Sequence, residues 1–320
     1  MSEVTTKQLT VIISFLNEGI EVARTVESVR QYAAEQVDIL VINDASNHLY
    51  DYEEMLKPYS VAYIRNEKRI GIAACRDLGV SLIQTPYFLF LDAHMRFYRE
   101  GWAAQIASYL NEDDRQLLCC QTYALIKDES DEVIPLPDRE VSYGAYISFQ
   151  DDYLLRPKWI FGEKPEPEKE LIDIPCVFGA AYAASKRYWM HLRGLEGLIR
   201  YGFDETYISL KVWMEGGRCR LIKNIEAGHI YRTRSPYRVC QDELMYNRLW
   251  IAALLLPENL KEKVFSICRQ QNELLYQRML EQLEDNQCLL EELNEHYKRI
   301  FTIDFDRAMR LSNNFNTKSL

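Results

Sequence analysis

Tyr87-Phe88-Leu89-Phe90-Leu91-Asp92-Ala93-His94 is a run of five large apolar residues that stops abruptly in an aspartate and a histidine. Consecutive apolar positions without polar alternation describe a strand covered on both faces, as in a parallel sheet. Asp92 and His94 stand two apart at the end of that strand, so both side chains can lie on one side of the chain. Taken alone, the pair reads equally well as a solvated loop cap. A second histidine far downstream, in Ala227-Gly228-His229-Ile230-Tyr231-Arg232, changes this. One carboxylate and two imidazoles form a mixed oxygen and nitrogen set suited to a borderline cation such as Mn2+, with Mg2+ as the alternative. A cation at a strand end is placed to hold a diphosphate.

Outward from this strand, apolar runs alternate with helical periodicity. Leu9 to Ser14, Val37 to Asn43 and Val61 to Arg65 read as strands, and Ile20 to Tyr32, Tyr52 to Lys57 and Ile72 to Ile83 as helices. Strands separated by helices of this length predict an α/β fold, a Rossmann-like, mostly parallel sheet flanked by helices. Ligands of such sheets sit beyond the carboxyl ends of the strands. That rule lines up Phe15 to Glu18, Asp44 to Asn47 and Asp92 to His94 along one rim. Neither GxGxxG after the first strand nor GxxxxGK[ST] anywhere is present, which disfavours a dinucleotide-binding dehydrogenase and a P-loop NTPase. A bound phosphate therefore needs a cation.

From 127 to 175 the chain is rich in charged residues and carries Pro135, Pro137, Pro157, Pro165, Pro167 and Pro175. It reads as long loops over short strands such as Val141 to Phe149: a lid or acceptor-binding element, or a solvated insertion. From Pro257 to about Ile300, Leu283, Leu290, Leu293, Tyr297 and Ile300 recur at helical spacing, which predicts an amphipathic helix or helical pair packed on the body or on another subunit. The domain reading is a unit over 1–240 and a helical C-terminal extension over 241–320. A net charge of −10 on 320 residues argues against nucleic-acid binding, which requires excess lysine and arginine. The eight cysteines include no CxxC pair, so they read as reduced thiols. The start of the chain lacks the pattern of a signal peptide, and no apolar run approaches the roughly 20 residues of a membrane helix.

These blocks assemble into a resemblance. Val11-Ile12-Ile13-Ser14-Phe15-Leu16-Asn17-Glu18, Val41-Ile42-Asn43-Asp44-Ala45-Ser46, Arg69-Ile70-Gly71-Ile72-Ala73-Ala74-Cys75-Arg76 and Phe90-Leu91-Asp92-Ala93-His94 together resemble a family 2 type glycosyltransferase with the GT-A fold, that of nucleotide-diphospho-sugar transferases. The DxH form of the metal motif is similar to that of the polypeptide N-acetylgalactosaminyltransferases. Val177-Phe178-Gly179-Ala180-Ala181, the segment Tyr201 to Trp213 and the Gly228-His229 block resemble the same enzymes in order and spacing, so the resemblance runs from about position 9 to 235.

What the resemblance implies can be checked residue by residue. Phe15, Asn17, Glu18 and Asp44 would bind the uridine, with Arg69 and Arg76 on the nucleotide or paired with Asp44; a structural salt bridge stays open for Arg76. Asp92, His94 and His229 would hold the metal, although His229 on its own reads more readily as a core residue. Gly179 and Ala180 offer small surfaces for the donor sugar, and Trp159 and Trp213 are candidate platforms, Trp213 fitting core packing better. The block that reads Gly-Gly-Glu-Asn in the N-acetylgalactosaminyltransferases is here Gly202-Phe203-Asp204-Glu205. Asp204 and Glu205 are the candidate catalytic or sugar-orienting carboxylates, or they stabilise the start of a helix over Thr206 to Met214. The implied function is metal-dependent transfer from a UDP-sugar to a glycan, a lipid-linked saccharide or a peptide. A nucleotidyltransferase and a non-catalytic sugar-nucleotide-binding scaffold are the alternatives. The family's eukaryotic members carry a membrane anchor and a lectin domain that this sequence does not show, so a cytoplasmic enzyme of bacterial type is expected, free or peripheral to the membrane, with self-association through the C-terminal helices.

Overall fold

The computed structural model describes residues 7–127, 133–135, 141–150, 154–160, 168–232 and 236–313. Strand β1 (Leu9–Phe15), helix α1 (Glu21–Ala33), β2 (Val37–Asn43), α2 (Tyr52–Leu56), β3 (Ala62–Arg65), α3 (Ile72–Leu82) and β4 (Tyr87–Leu91) follow one another as the apolar pattern predicts. Next come β5 (Met95–Phe97), α4 (Trp102–Glu112), the long β6 (Gln116–Lys127) and the short strands β7 (Val133–Pro135), β8 (Ala145–Ile147), β9 (Pro157–Trp159) and β10 (Leu171–Asp173). After β11 (Ala181–Ser185), α5 (Lys186–His191), α6 (Asp204–Glu215) and the second long strand, β12 (Arg218–Ile230), the chain is helical: α7 (Gln241–Leu255), α8 (Glu258–Gln271), α9 (Glu273–Asp285), α10 (Gln287–Ile300) and α11 (Phe305–Asn313).

The main sheet runs β10-β12-β6-β11-β4-β1-β2-β3. From β4 to β3 it is parallel, whereas β11 lies antiparallel between β4 and β6. Side chains alternate across it, as the two-residue period of a strand requires. Ile12, Leu40, Ile42, Phe88 and Phe90 enter one core with α3, α6 and α7, while Val11, Ile13, Val41, Leu89 and Leu91 enter a second with α1 and α4. Each face is closed, so β4 has no polar alternation and every one of its residues is buried. Burying a side chain the size of Phe88 or Phe90 contributes about 2–3 kcal/mol.

Within 127–175, the expected strand over Val141 to Phe149 shrinks to β8, paired with β9. Pro135 ends β7 and Pro157 opens β9; Pro137, Pro165 and Pro167 lie outside the described residues. The C-terminal pattern resolves into separate helices joined by short turns, and Leu283, Leu290, Leu293 and Tyr297 are buried in the core shared with α6 and α7. That stripe is spent inside the chain, so any self-association would need another surface. Among the described residues, no helix is long and apolar enough to cross a membrane.

Candidate active site

The strand ends converge as the rim rule predicts. One cavity of about 640 Å³ is lined by Phe15, Glu18, Asp44, Arg69, Arg76, Asp92, His94, Gly179, Ala180, Asp204, Glu205 and His229. Pairing of β5 with β12 is what joins the two histidines. His229 stands opposite Met95, the residue after His94, and Ile230 N donates to His94 O at 3.1 Å. Arg96 holds β5 on α1: its guanidinium donates to Thr25 Oγ1 at 3.1 Å and pairs with Glu21. Asp92 is held at the end of β4 by its N–H, which donates to Ala180 O at 2.9 Å.

Asp92, His94 and His229 present ligand atoms that all lie within 4.8 Å of one another, the span of an ion held by bonds of roughly 2.0–2.4 Å. His229 Nε2 is 3.8 Å from Asp92 Oδ2, and the two imidazole centroids are 4.8 Å apart. Both Nδ1 atoms are buried without a hydrogen-bond partner; that of His94 lies 3.3 Å from Glu18 Oε2 but is not aligned for a bond. Burial depresses the His229 imidazole below its ordinary value, which keeps it in the neutral form a metal needs. Burial alone would raise the Asp92 carboxyl, but His229, His94 and Arg76 together hold it below its ordinary range and therefore charged. Glu18 behaves alike: burial pushes it up, and His94 and Arg232 outweigh that and pull it down. The donor set thus fits a divalent cation, with Glu18 and Arg232 behind it.

Arg76 is the hub beside this cluster. It pairs with Asp204, lies 3.6 Å from Asp92 Oδ1, donates to Gly179 O at 2.7 Å and sits over the rings of Phe90 and Tyr182. The structural salt bridge left open for this arginine is present, but its partner is Asp204 and not Asp44. Asp204 and Glu205 occupy the first turn of α6, yet neither side chain caps it, because Phe203 is the capping residue and makes no side-chain bond. Burial and the neighbouring Asp204 raise the Glu205 carboxyl well above its ordinary value. Its Oε1 lies against Gly179, where an added Cβ would stand 2.0 Å away, so the glycine gives room to this carboxyl.

The uridine-side residues divide. Asp44 accepts from Asn66 Nδ2 at 2.9 Å, Ile70 N at 2.8 Å and Gly71 N at 2.8 Å, which fixes the following loop and leaves about one of a carboxylate's roughly four acceptor positions. Phe15 reaches the cavity edge-on to Tyr52. Asn17 does not line it. Its side chain accepts from Asn47 N at 2.8 Å and its N–H donates to Ser46 Oγ at 2.8 Å, so the asparagine expected beside the base braces two strand-end loops at a positive φ of 59°. Arg69 lies 3.7 Å from Glu243 and over the Tyr237 ring. Trp213 is core, donating to Pro175 O at 3.0 Å, whereas Trp159 lines the cavity, stacked on Phe178 and next to Tyr231. Sequence reading assigned no role to Arg232 or Tyr231, although both stand within three residues of His229 in its block.

A family model described as Glycosyl transferase family 2 matches residues 10–180. This is more than half of the chain, which belongs to that family. Human polypeptide N-acetylgalactosaminyltransferase 9 is 26% identical over 270 residues, covering 81% of this chain and 43% of its own length. Human polypeptide N-acetylgalactosaminyltransferase 10 is 28% identical over 241 residues, 72% of this chain and 38% of that protein. Polypeptide N-acetylgalactosaminyltransferase 3 of Drosophila melanogaster is 27% identical over 239 residues, with 71% and 35% covered. The chain therefore spans less than half the length of these relatives. Its fold is similar to the crystal structure of GalNAc-T7 with UDP, GalNAc and Mn2+, with a TM-score of 0.76 at 22% identity over 99% of this chain and 58% of that one. The GT-A architecture expected from the sequence is the architecture found.

Proposed function

We propose that the chain is a metal-dependent glycosyltransferase that moves a sugar, N-acetylgalactosamine being the first to test, from a UDP donor to a polypeptide hydroxyl. The observation that carries this reading is the Asp92, His94 and His229 cluster opening into the same cavity as the Arg76-Asp204 pair. The relatives' names supply the donor and acceptor class. When bound, Mn2+ would neutralise the charge developing on the leaving diphosphate. Asp92, His94 and His229 would hold it, with the Glu18 carboxylate 3.3 Å from His94 Nδ1 behind them. Arg76 holds Asp204 in place beside the donor sugar. Glu205, whose carboxyl burial and Asp204 raise well above its ordinary value, stands against Gly179 beside it.

We read 241–320 as a helical C-terminal extension of the GT-A domain over 1–240, one whose first helix, α7, packs in the core it shares with α6. A cytoplasmic location rests on eight unpaired cysteines; the animal relatives lend the bacterial-type reading no support.

The test is a panel of UDP-sugars assayed for Mn2+-dependent UDP release, with and without a threonine-containing peptide. Release that rises with peptide and stops with EDTA is expected. No release from any UDP-sugar would sink the proposal.

A further inference from the structure

A second cavity, of about 1240 Å³, lies between residues 198–200, the start of α7 and the outer face of α9. Arg200 and Val239 line both this space and the active-site cavity. The wall between them is tightly built. Gly71 and Arg200 form a parallel bridge, and Ile72 N donates to Arg200 O at 2.7 Å. At Gly71, φ is +95° and an added Cβ would stand 2.0 Å from Arg200 Cα. The same Gly71 N–H is held by Asp44, so nucleotide side and outer cavity share one fixed partition.

The lining is cationic in a chain whose net charge is −10. Arg200, Arg238 and Arg278 face two carboxylates, Asp242 and Glu243. Glu243 is buried and already faces Arg200 at 3.3 Å and Arg69 at 3.7 Å, while Asp242 forms an exposed pair with Arg278 at 3.3 Å. Arg238 has no ion partner among the described residues. Beside these cations Leu274 is 81% exposed, with Leu275 and Met279 behind it. An uncompensated guanidinium next to an exposed leucine fits an extended segment that carries carboxylate and apolar side chains.

We infer that this cavity is an acceptor subsite that binds acidic and apolar residues flanking the hydroxyl amino acid of a peptide acceptor. The inference rests on the transfer reading above, and it makes 241–320 the part of the chain that selects the acceptor. A chain of net charge −10 repels an acidic peptide on average, so attraction to one falls on patches such as this where arginines gather.

Fluorescence anisotropy tests it with two labelled peptides of identical Thr-Ala centre, one flanked by Asp and Leu and the other by Lys and Leu, with UDP and Mn2+ present. The wild type should bind the acidic peptide about tenfold more tightly. The Arg238→Glu, Arg278→Glu double variant should invert that order while calorimetry shows unchanged UDP affinity. If the double variant lowers the thermal midpoint, Arg238→Gln replaces it, since that side chain has no ion pair among the described residues to lose, and the preference should then fall about threefold. Equal binding of both peptides, no binding of either, or an order untouched by the substitutions overturns the subsite. So does retention on phosphatidylglycerol vesicles that the same substitutions abolish while neither peptide binds. Peptide preference without Mn2+-dependent UDP binding would leave the subsite standing and remove the transfer reading.

Discussion

Arg76 decides what the two carboxylates at the start of α6 can do. Its pairing with Asp204 is buried on both sides, so Asp204→Asn takes away the guanidinium's directly paired carboxylate and leaves Asp92 at 3.6 Å beside its bonds to Gly179 O and Tyr182 Oη. Removing one partner of such a pair costs about 3 kcal/mol, and turnover should fall by about 10²-fold or more if Asp204 orients the donor sugar. Urea unfolding and turnover on one donor check both; wild-type turnover in an unstable variant would confine Asp204 to a structural role. Glu205→Gln behaves differently, because burial and Asp204 raise the native carboxyl well above 4.5. A folded value above the unfolded one means stability present at low pH and lost as pH climbs from about 4.5 toward the folded value. The amide lacks that loss, so in EDTA the variant should gain on the wild type in thermal midpoint as pH rises above the ordinary carboxyl value of 4.5. Parallel curves would contradict this. At the metal, alanine at Asp92, His94 or His229 should abolish Mn2+-dependent UDP binding by calorimetry with little loss of stability, since rim ligands add little to the core. Unchanged affinity in all three variants would overturn the ligand set.

At the scale of elements, α6 is tied from its far end as well as its start. Lys211 is fully buried, donates to Leu192 O at 3.1 Å and Tyr297 Oη at 3.1 Å, and so fastens the helix to α10. Burial lowers its ammonium from 10.5 to about 7, and burial raises nearby Asp77 from 3.8 to about 6. Between about 7 and 10.5 the unfolded lysine holds its proton and the folded one does not, so stability rises with pH across that window and is lowest below it. Asp77 acts in a lower window and with the opposite sign, costing stability as pH rises from 3.8 to about 6. Urea midpoints of the wild type should therefore climb from about pH 7 to about pH 9 and those of Lys211→Met should not. Equal slopes in the two proteins would show that Lys211 is not the titrating group.

For the whole molecule, the C-terminal helices belong to the core. Tyr246, Leu249 and Trp250 of α7 are fully buried in the cluster that includes Phe88 and Phe90 of β4. The turn that leads into α11 is tied to α6, where Thr302 N and Ile303 N both donate to Met214 O at 3.0 Å. A chain ending at residue 240 removes side chains worth about 2–3 kcal/mol each, against a typical total stability of about 5–15 kcal/mol. It should lack a cooperative unfolding transition and near-UV dichroism. A folded 1–240 fragment that binds UDP would show that the division read in the sequence is also a physical one.

Local patterning carried much of the outcome. Continuous apolar runs identify β1, β2 and β4 because strands closed on both faces show no alternation, and a parallel sheet delivers their ends to one rim whatever the loops do. Asp92 and His94 were legible for that reason, whereas His229 and the carboxylate pair opening α6 were picked out by the resemblance of their blocks, and antiparallel β5-β12 pairing is what brings His229 to His94. Other features depended on which distant elements meet. Arg76 reaches Asp204 across 128 positions, and nothing near either residue indicates that Asp204, and not Asp44, is the partner. Asn17 carries the same local signal as a ligand-binding residue and is turned into a brace by the Ser46-Asn47 loop. The long strand β6, most of β12 before its Gly228-His229 block, and the cationic cavity between α7 and α9 lie outside any motif. Periodicity and turn chemistry act over a few residues and are written in the sequence, whereas ion pairs and cavities follow from register and packing between elements, which only the tertiary fold decides.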